Sequence, residues 1–556
     1  MRDLRTVRLH LPLSLSTLLR SVLLRSVLSL LLAVGTAPAA AGARDPERPV
    51  VTTDRGQVRG RAHGAYHTFE GIPYAAPPTG ALRWRLPERA ARWEGVRDAG
   101  APGARCVQLP VLVPGGPTGS EDCLHLNVTA PAERAVRGRP RPVMVWFHGG
   151  GFHSGSADVY RPDRLAVQGD SVVVTVNYRL GIFGLFGHPE LGGAPGFALA
   201  DQQAALRWVR ANAARFGADP HNVTVFGESA GGLSVCAHLT SPASAGLFHR
   251  AVVQSGSCST TTPPRALLPT LGTYEPFVPQ QRTVADGLAA AERLGCGRPA
   301  GALDCLRALD ARTLATPELM QAFSLLPYGN GRLPLEPRRA LEEGRFHRVP
   351  VVQGTTEDEM RLFLSQTLAA YPIGDEAAYR SRLELSFDAA TARDVAARYP
   401  VSAHPTPALA WATVLSDASF ICPTLRDGRA LARHVPAYGY RFSDADAPNF
   451  TGLSAPPDLP FGAAHGFELP YLFTMVPLAA PQQELADRMT GYWTSFARTG
   501  VPRAAGAPDW PRLGAAPPAS VLSLAPGAGG IRTVDAGAEH HCALWDAWSQ
   551  APAGAR

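Results

Sequence analysis

The sequence predicts an α/β fold in which a mostly parallel central sheet is flanked by helices, with large insertions. Short apolar runs bounded by Gly, Pro or Asp recur along the chain, as buried strands do. A segment with helical spacing lies between two of these runs, and strands that alternate with helices join by crossovers into parallel sheets. The composition, with 45% hydrophobic and 18% charged residues, provides enough apolar surface for a large core.

Five apolar runs are the expected strands, and helical segments are expected around them. Between the second and third runs, apolar residues recur at the spacing of one helix face from Leu199 to Phe216. The stretch 263–348 is rich in proline and mixed helical, which indicates an insertion rather than a second sheet. The strand candidates, in chain order, are 142–147, 171–177, 222–226, 251–254 and 349–353.

The first 43 residues are predicted to be a secretory signal peptide, and 44–556 to form one domain. The leader begins with arginines, continues through an apolar stretch at 26–34 and ends in small residues suited to cleavage. Arg20 and Arg25 keep its apolar run below the roughly 20 residues that a membrane anchor needs. No later run is expected to span a membrane, so an extracellular location is expected.

The charge pattern and the missing lysine exclude several classes of function. The formal net charge is +6, but five arginines oppose one aspartate in the first 43 residues, and the rest is close to neutral. Without a basic face interleaved with aromatic residues, nucleic acid is not an expected partner. All 53 Lys and Arg residues are arginine. Such a chain forms no lysine Schiff base, no Gly-Lys phosphate loop and no Ser-x-x-Lys acylase.

Ser229 is the candidate nucleophile. It lies in Gly227-Glu-Ser-Ala-Gly231, after the expected strand at 222–226 and before an expected helix at 232–239. In this Gly-x-Ser-x-Gly context, a tight turn exposes the hydroxyl at the N-terminus of a helix and the carboxyl edge of the sheet. An ordinary glycine turn is the alternative, and the flanking elements favour the nucleophile.

A second glycine-rich turn offers hydrogen-bond donors. His148-Gly-Gly-Gly-Phe152 follows the expected strand at 142–147, and glycines let backbone N–H groups approach a substrate. A plain glycine turn is again the alternative. We expect the N–H groups of Gly150, Gly151 and Ala230 to form an oxyanion hole, each contributing about 2.7 to 4 kcal/mol to transition-state stabilisation.

An acid and then a base are expected after the serine. His465 lies in a Gly/Ala-rich loop that leaves room for an imidazole to reach a nucleophile. Glu357, Asp358 and Glu359 follow the expected strand at 349–353. These acids also suit a solvated helix start, where the helix dipole favours negative charge.

These motifs together resemble the type-B carboxylesterases, a family of the α/β-hydrolase fold that includes secreted carboxylesterases, fungal lipases and cholinesterases. The resemblance covers nearly all of the chain after the leader. The motifs that carry it are Glu70-Gly-Ile-Pro-Tyr-Ala-Ala-Pro-Pro78, Glu121-Asp-Cys-Leu-His-Leu-Asn127, His148-Gly-Gly-Gly-Phe152, Asn177-Tyr-Arg-Leu-Gly181, Gly227-Glu-Ser-Ala-Gly231, Gln254-Ser-Gly256, Tyr492-Trp-Thr-Ser-Phe-Ala497 and Trp510-Pro511.

The resemblance implies a catalytic triad of Ser229, His465 and Glu359. The acid corresponds to the second residue of a family Asp-Glu-Gly, but this chain has Met360 in place of the glycine. Glu357 and Asp358 therefore stay open as alternative partners of the histidine. Two further roles are implied: Ser255 supports the acid, and Glu228 lines the floor of the active-site gorge.

The eight cysteines are Cys106, Cys123, Cys236, Cys258, Cys296, Cys305, Cys422 and Cys542. Their spacing fits no zinc motif, so neither a metal nor a cofactor is expected. The resemblance implies disulfides between Cys106 and Cys123 and between Cys296 and Cys305. It makes Cys422 with Cys542 a third candidate pair and leaves Cys236 and Cys258 unpaired.

The function implied is hydrolysis of small-molecule carboxylic esters through an acyl-enzyme. A lipase acting on long-chain esters and a non-catalytic adhesion protein are the alternatives, and the intact triad disfavours the second. Cholinesterases carry a choline-binding Trp between their first two cysteines, whereas 106–123 has no aromatic residue here, so a cholinesterase is not expected.

Overall fold

The structure is a computed structural model that describes residues 48–110, 115–133, 140–298, 300–514 and 520–550. The predicted signal peptide at 1–43 lies outside these ranges. The described residues from Arg48 onward belong to one compact unit.

The described strands and helices alternate through most of the chain. The strands are β1 (Val50–Thr52), β2 (Gln57–Arg59), β3 (Arg61–Ala62), β4 (Tyr66–Pro73), β5 (Val96–Asp98), β6 (His125–Pro131), β7 (Arg141–Phe147), β8 (Val172–Val176), β9 (Ala218–Glu228), β10 (Arg250–Gln254), β11 (Phe277–Pro279), β12 (Leu326–Tyr328), β13 (Val351–Thr356), β14 (Ala437–Phe442), β15 (Ser520–Leu524) and β16 (Arg532–Asp535). The helices are α1 (Asp163–Val167), α2 (Gly181–Leu185), α3 (Phe197–Asn212), α4 (Ala230–Thr240), α5 (Gln280–Arg293), α6 (Ala302–Ala308), α7 (Ala311–Leu314), α8 (Pro317–Ala322), α9 (Pro337–Glu342), α10 (Met360–Ser365), α11 (Glu376–Ser386), α12 (Ala389–Arg398), α13 (Pro407–Ser416), α14 (Cys422–Ala432), α15 (Leu469–Leu472), α16 (Ala480–Thr499), α17 (Ala536–Glu539) and α18 (Cys542–Gln550).

An 11-stranded sheet forms the centre of the described structure, in the order β16-β15-β14-β13-β10-β9-β7-β8-β6-β4-β3. From β15 to β8 all neighbours run parallel, whereas β16 at one edge and β6, β4 and β3 at the other pair antiparallel. The five predicted strands coincide with β7, β8, β9, β10 and β13, all in the parallel part. The predicted α/β class with a mostly parallel sheet is therefore confirmed.

The two faces of the sheet are covered by separate layers of helices, as the side-chain alternation of β7 shows. Val143, Val145 and Phe147 point into a core shared with α3 and α4. Met144 and Trp146 point into a second core shared with α15 and α16. Successive residues of a strand face opposite sides, so a strand buried on both faces is a continuous apolar run, as this one is after Arg141.

The sheet brings the expected site residues to one edge. β7 ends before the glycine turn that begins at Gly149, β9 ends before Ser229, and β13 ends three residues before Glu359. Because these strands run parallel, their carboxyl ends meet at the same edge, where ligands bind in open α/β sheets.

The insertion at 263–348 differs from the expectation in one respect. β11 and β12 form a two-stranded parallel sheet, with Phe277 paired to Leu326, so the expectation of no second sheet is wrong. Each strand has only three residues, and four helices separate the two. Neither an apolar run nor a hairpin turn therefore marks them in the sequence.

One long helical run, Pro407–Ala432, joins α13 to α14 through a π-helical turn at Asp417–Ile421. Contrary to expectation, it is long and apolar enough to cross a membrane, with a mean hydropathy of 1.3 in its most apolar 18-residue window. However, 94% of that window is buried inside the protein, as in a core helix. Its hydropathy is explained by packing against the other helices.

Four disulfides join the eight cysteines. Cys106–Cys123, Cys296–Cys305 and Cys422–Cys542 are the expected pairs. The expectation that Cys236 and Cys258 are unpaired is wrong, because they form the fourth disulfide across a Cα–Cα distance of 5.5 Å. Cys236 lies on α4 and Cys258 follows β10, and β10 pairs with the strand that leads into α4. The pairing of these strands brings the two cysteines together.

Candidate active site

Ser229 occupies a strained turn between β9 and α4. Its φ of 57° and ψ of −122° lie where residues other than glycine are rare, as in a nucleophile elbow. Its backbone N–H donates to the carbonyl oxygen of Gln254 at 2.9 Å. A Cβ at Gly231 would overlap the carbonyl oxygen of Phe147, so the turn requires glycine there. The Ser229 side chain stays partly exposed between buried neighbours, Glu228 and Ala230.

The glycine turn after β7 lies directly against this serine. A Cβ at Gly149 would lie 3.1 Å from the Cβ of Ser229, so the two turns are in close contact. Gly150 and Gly151 have φ values of 104° and 60°, which glycine adopts without strain. The Gly150 carbonyl is held by the N–H groups of His153 and Ser154 at 3.2 and 3.1 Å.

The backbone N–H groups at this junction that donate to no acceptor within the described ranges include those of Gly150, Gly151 and Ala230. Ala230 is the first residue of α4, and the first N–H groups of a helix have no partner inside the helix. Unpaired donors at a helix N-terminus suit the stabilisation of an oxyanion.

Glu359 is the acid that contacts the imidazole. His465 Nδ1 lies 2.5 Å from Glu359 Oε2, and Glu359 Oε1 accepts the N–H of Thr356 at 2.9 Å. Both side chains are buried, with Glu359 fully inaccessible. Asp358 instead accepts the N–H of Ala463 at 3.0 Å, so these neighbouring acids contact different parts of the loop that carries His465.

Met360 does not disturb this arrangement. It begins α10, and Glu359 before it has φ and ψ of −40° and −49°, a right-handed helical conformation. A glycine is needed only where φ is positive or space is missing. The side chain of Glu357 faces the other way, with its carboxylate 3.8 Å from Arg441 Nε.

The second imidazole nitrogen faces Glu228. His465 Nε2 lies 3.1 Å from Glu228 Oε1, although neither atom is aligned for a hydrogen bond and neither has another partner in the described part of the chain. Glu228 directly precedes Ser229. The structure therefore brings Nε2 to the turn that carries the serine but shows no hydrogen bond between Ser229 and His465.

Ser255 makes no hydrogen bond to the acid. Its N–H donates to the carbonyl oxygen of Gly354 at 2.8 Å, and its φ is 47°. Its hydroxyl is buried without a hydrogen-bond partner among the described residues.

Sequence reasoning missed Glu468, a third buried carboxyl group beside this site. Its Oε1 accepts the side-chain amide of Gln254 at 3.1 Å, while its Oε2 has no partner among the described residues. The available signal was one carboxylate in the segment 461–473, whose other residues are uncharged and mostly apolar apart from His465. Buried acids in such surroundings are uncommon outside functional sites.

The buried carboxyl groups control the charge of the imidazole. Burial lowers the pKa of His465, but the negative charges of Glu228 and Glu359 outweigh it and raise this pKa to about 9. Burial raises the pKa of Glu228 to about 7 and that of Glu468 to about 8. The rings of Phe363 and Phe420 pack on the imidazole with centroid distances of 4.8 and 5.2 Å. These rings shield the imidazole from water and hold its plane.

Comparisons with known proteins identify the family to which this chain is similar. A family model described as the carboxylesterase family matches residues 47–545. Cocaine esterase of Oryctolagus cuniculus is 35% identical over 502 residues, which cover 84% of this chain and 91% of that protein. Para-nitrobenzyl esterase of Bacillus subtilis (strain 168) is 34% identical over 487 residues, covering 83% and 92%. A solved structure of PNB esterase aligns with a TM-score of 0.72 at 31% identity, over 89% of this chain and 99% of that chain.

Proposed function

The chain belongs to the carboxylesterase family and is a carboxylic ester hydrolase, and we propose that it cleaves small-molecule esters through an acyl-enzyme on Ser229. The observation that carries this proposal is the buried contact of 2.5 Å between His465 Nδ1 and Glu359 Oε2, beside the turn of Ser229. An imidazole held by a carboxylate near a partly exposed serine is the arrangement that activates a serine nucleophile.

In the first half of the reaction, Ser229 attacks the ester carbonyl. Neutral His465 accepts the hydroxyl proton at Nε2 while the serine oxygen bonds to the carbonyl carbon. Glu359 keeps the other imidazole proton on Nδ1 and stabilises the imidazolium. The N–H groups of Gly150, Gly151 and Ala230 donate to the oxyanion. The imidazolium then protonates the departing alcohol, which leaves Ser229 acylated.

In the second half, water repeats the sequence. His465 accepts a proton from water as its oxygen attacks the acyl carbon, and the same N–H groups hold the new oxyanion. Collapse of this intermediate breaks the bond to Ser229, and His465 returns the proton to the serine. The carboxylic acid leaves and the enzyme is restored.

Export from the cell is part of the same proposal. The four disulfides of the described structure support an oxidising compartment, since such bonds are rare in reducing ones. The predicted signal peptide at 1–43 supplies the route. N-terminal sequencing of the mature protein from culture medium tests this: the expected first residue lies near 44, and retention of Met1 in a cell-associated protein contradicts export.

The Ser229→Ala variant tests the proposed nucleophile. We expect a loss of about 10⁶-fold in kcat on a para-nitrophenyl ester, because the acyl-enzyme cannot form. Ser381→Ala on the exposed face of α11 is the matched control and is expected to keep wild-type kcat. Hydrolysis by Ser229→Ala at the wild-type rate contradicts the proposal.

A further inference from the structure

Beside the contact between His465 and Glu359, a second set of contacts ties together the two loops that carry these residues. Asp358 precedes Glu359, and Ala463 lies two residues before His465. The N–H of Asp358 donates to the carbonyl oxygen of Ala463 at 2.9 Å. In return, the N–H of Ala463 donates to the carboxylate Oδ2 of Asp358 at 3.0 Å. The two loops therefore pair as strands do, with a carboxylate in place of one carbonyl.

Arg361 extends this pairing. Its Nη2 lies 2.6 Å from Asp358 Oδ1, and its Nη1 donates to the carbonyl oxygen of Pro460 at 3.3 Å. The guanidinium thus holds the carboxylate and the beginning of the histidine loop at the same time. Both side chains are largely buried, with exposed fractions of 20% for Arg361 and 16% for Asp358, so water screens the ion pair only in part.

Gly462 shows how closely the carboxylate is packed against the histidine loop. Its φ is 57°, and a Cβ there would overlap Asp358 Oδ2 and lie 2.7 Å from Arg361 Nη1. The loop can approach Asp358 and Arg361 this closely only with glycine at 462.

We infer that Asp358 and Arg361 are positioning residues for ester hydrolysis, which hold the His465 loop at a fixed distance from Glu359. This inference rests on the proposed function and adds to it. Neither residue contacts the imidazole, so they act through the backbone of 460–463. A displacement of about 1 Å in a catalytic group costs roughly 10²-fold in rate. The contacts of both side chains go to the two loops and to each other, so we expect the effect in kcat rather than in KM.

The test compares Asp358→Ala with Asp358→Asn and with Glu357→Ala, using kcat and KM on a para-nitrophenyl ester. We expect Asp358→Ala to lose about 10- to 100-fold in kcat with KM within about twofold of wild type. Asp358→Asn should recover most of the loss, because its amide oxygen still accepts the N–H of Ala463. Glu357→Ala, which removes the adjacent acid without touching the loop, should keep wild-type kcat.

Equal kcat values for Asp358→Ala and Glu357→Ala, in an active wild-type background, overturn the inference. A loss that Asp358→Asn does not reduce at all also overturns it. If Asp358→Ala yields no folded protein, Arg361→Met decides, because the Arg361 side chain is partly exposed. A kcat drop of about tenfold or more supports the positioning role, and wild-type kcat refutes it. An inactive wild type, or an active Ser229→Ala protein, contradicts the proposed function instead.

Discussion

At the scale of single residues, the electrostatics of the base depend on its carboxylate neighbours. Glu228 and Glu359 both lie within hydrogen-bonding distance of His465, one at each imidazole nitrogen. Glu359 fixes the orientation of the ring. Glu228 adds a second negative charge next to Nε2, which stabilises the imidazolium that forms during attack but makes the resting base harder to deprotonate. At neutral pH a smaller fraction of His465 is therefore neutral, but the imidazolium that forms during attack is better stabilised.

The pKa of His465 sets the pH dependence of kcat/KM. In the proposed mechanism the neutral imidazole is the active form, so we expect kcat/KM to rise as pH rises through the pKa of His465. The sequence alone suggests that the rising limb of the pH profile of kcat/KM lies near the ordinary histidine pKa, at a pH of about 6 to 7. Because the nearby carboxylates raise this pKa to about 9, we expect the limb at higher pH.

Glu228→Gln tests the origin of the shift. The amide carries no charge, so the pKa of His465 should fall and the acid limb of kcat/KM should move to lower pH by about 1 to 3 units. Rate profiles between pH 5 and 10 on one soluble ester measure it, with Glu357→Gln as the control for loss of a carboxylate elsewhere. An unmoved limb, or one displaced upward, contradicts the assigned role of Glu228.

Single residues also show what the sequence can and cannot predict about the site. Ser229 and the glycines around it belong to a local motif, so the sequence alone identifies them. The choice of Glu359 over its two neighbouring acids depends on contacts across 106 positions of chain, which no local pattern contains. Glu468 is only three residues from His465, but its burial and its contact with Gln254 across 214 positions of chain depend on packing, so it was missed.

At the scale of elements, the tight turn between β9 and α4 is what presents the serine. Helix α4 starts immediately after the strand, so its N-terminus lies against the carbonyl groups that end β7. The glycines at 227 and 231 are required by space and not by flexibility: a Cβ at Gly227 would lie 2.5 Å from the backbone of Gly231.

Gly231→Ala should therefore destabilise the protein and lower its activity. The added methyl group meets backbone atoms, which cannot rotate away, and overpacking of this kind costs about 1 to 3 kcal/mol of unfolding free energy. Denaturant unfolding together with kcat measures both effects. Gly374→Ala is the control, because a Cβ there meets nothing within 4 Å. Wild-type stability and activity in Gly231→Ala would show that the turn is not space-limited.

Elements also differ in how well the sequence predicts them. The parallel strands in the middle of the sheet are buried on both faces, so each is a continuous apolar run that can be recognised without an alignment. The antiparallel strands at the edges, such as β3 with two residues and β16 with four, are short or partly exposed and lack such runs. The pairing of Cys236 with Cys258 also escaped prediction, because it depends on the contact between α4 and the end of β10.

At the scale of the whole molecule, function depends on convergence. The proposed nucleophile, acid and base come from segments more than 100 residues apart, and the fold brings them to the same edge of the sheet. The two helical layers and the four disulfides hold this frame. The sequence predicts this frame well, because its parallel strands are continuous apolar runs and its motifs are local. The distances within the site depend on how the loops pack, and no local sequence pattern predicts that packing.

The most direct measurement of this convergence is covalent labelling with a fluorophosphonate. Peptide mass spectrometry identifies the labelled residue, and labelling rates are compared between wild type, His465→Ala and Glu359→Gln. We expect the label on Ser229 in the wild type, and labelling slowed by about 100-fold or more in both variants, because each removes part of the activation of the serine. A label on another residue, or His465→Ala labelled at the wild-type rate, would contradict the account.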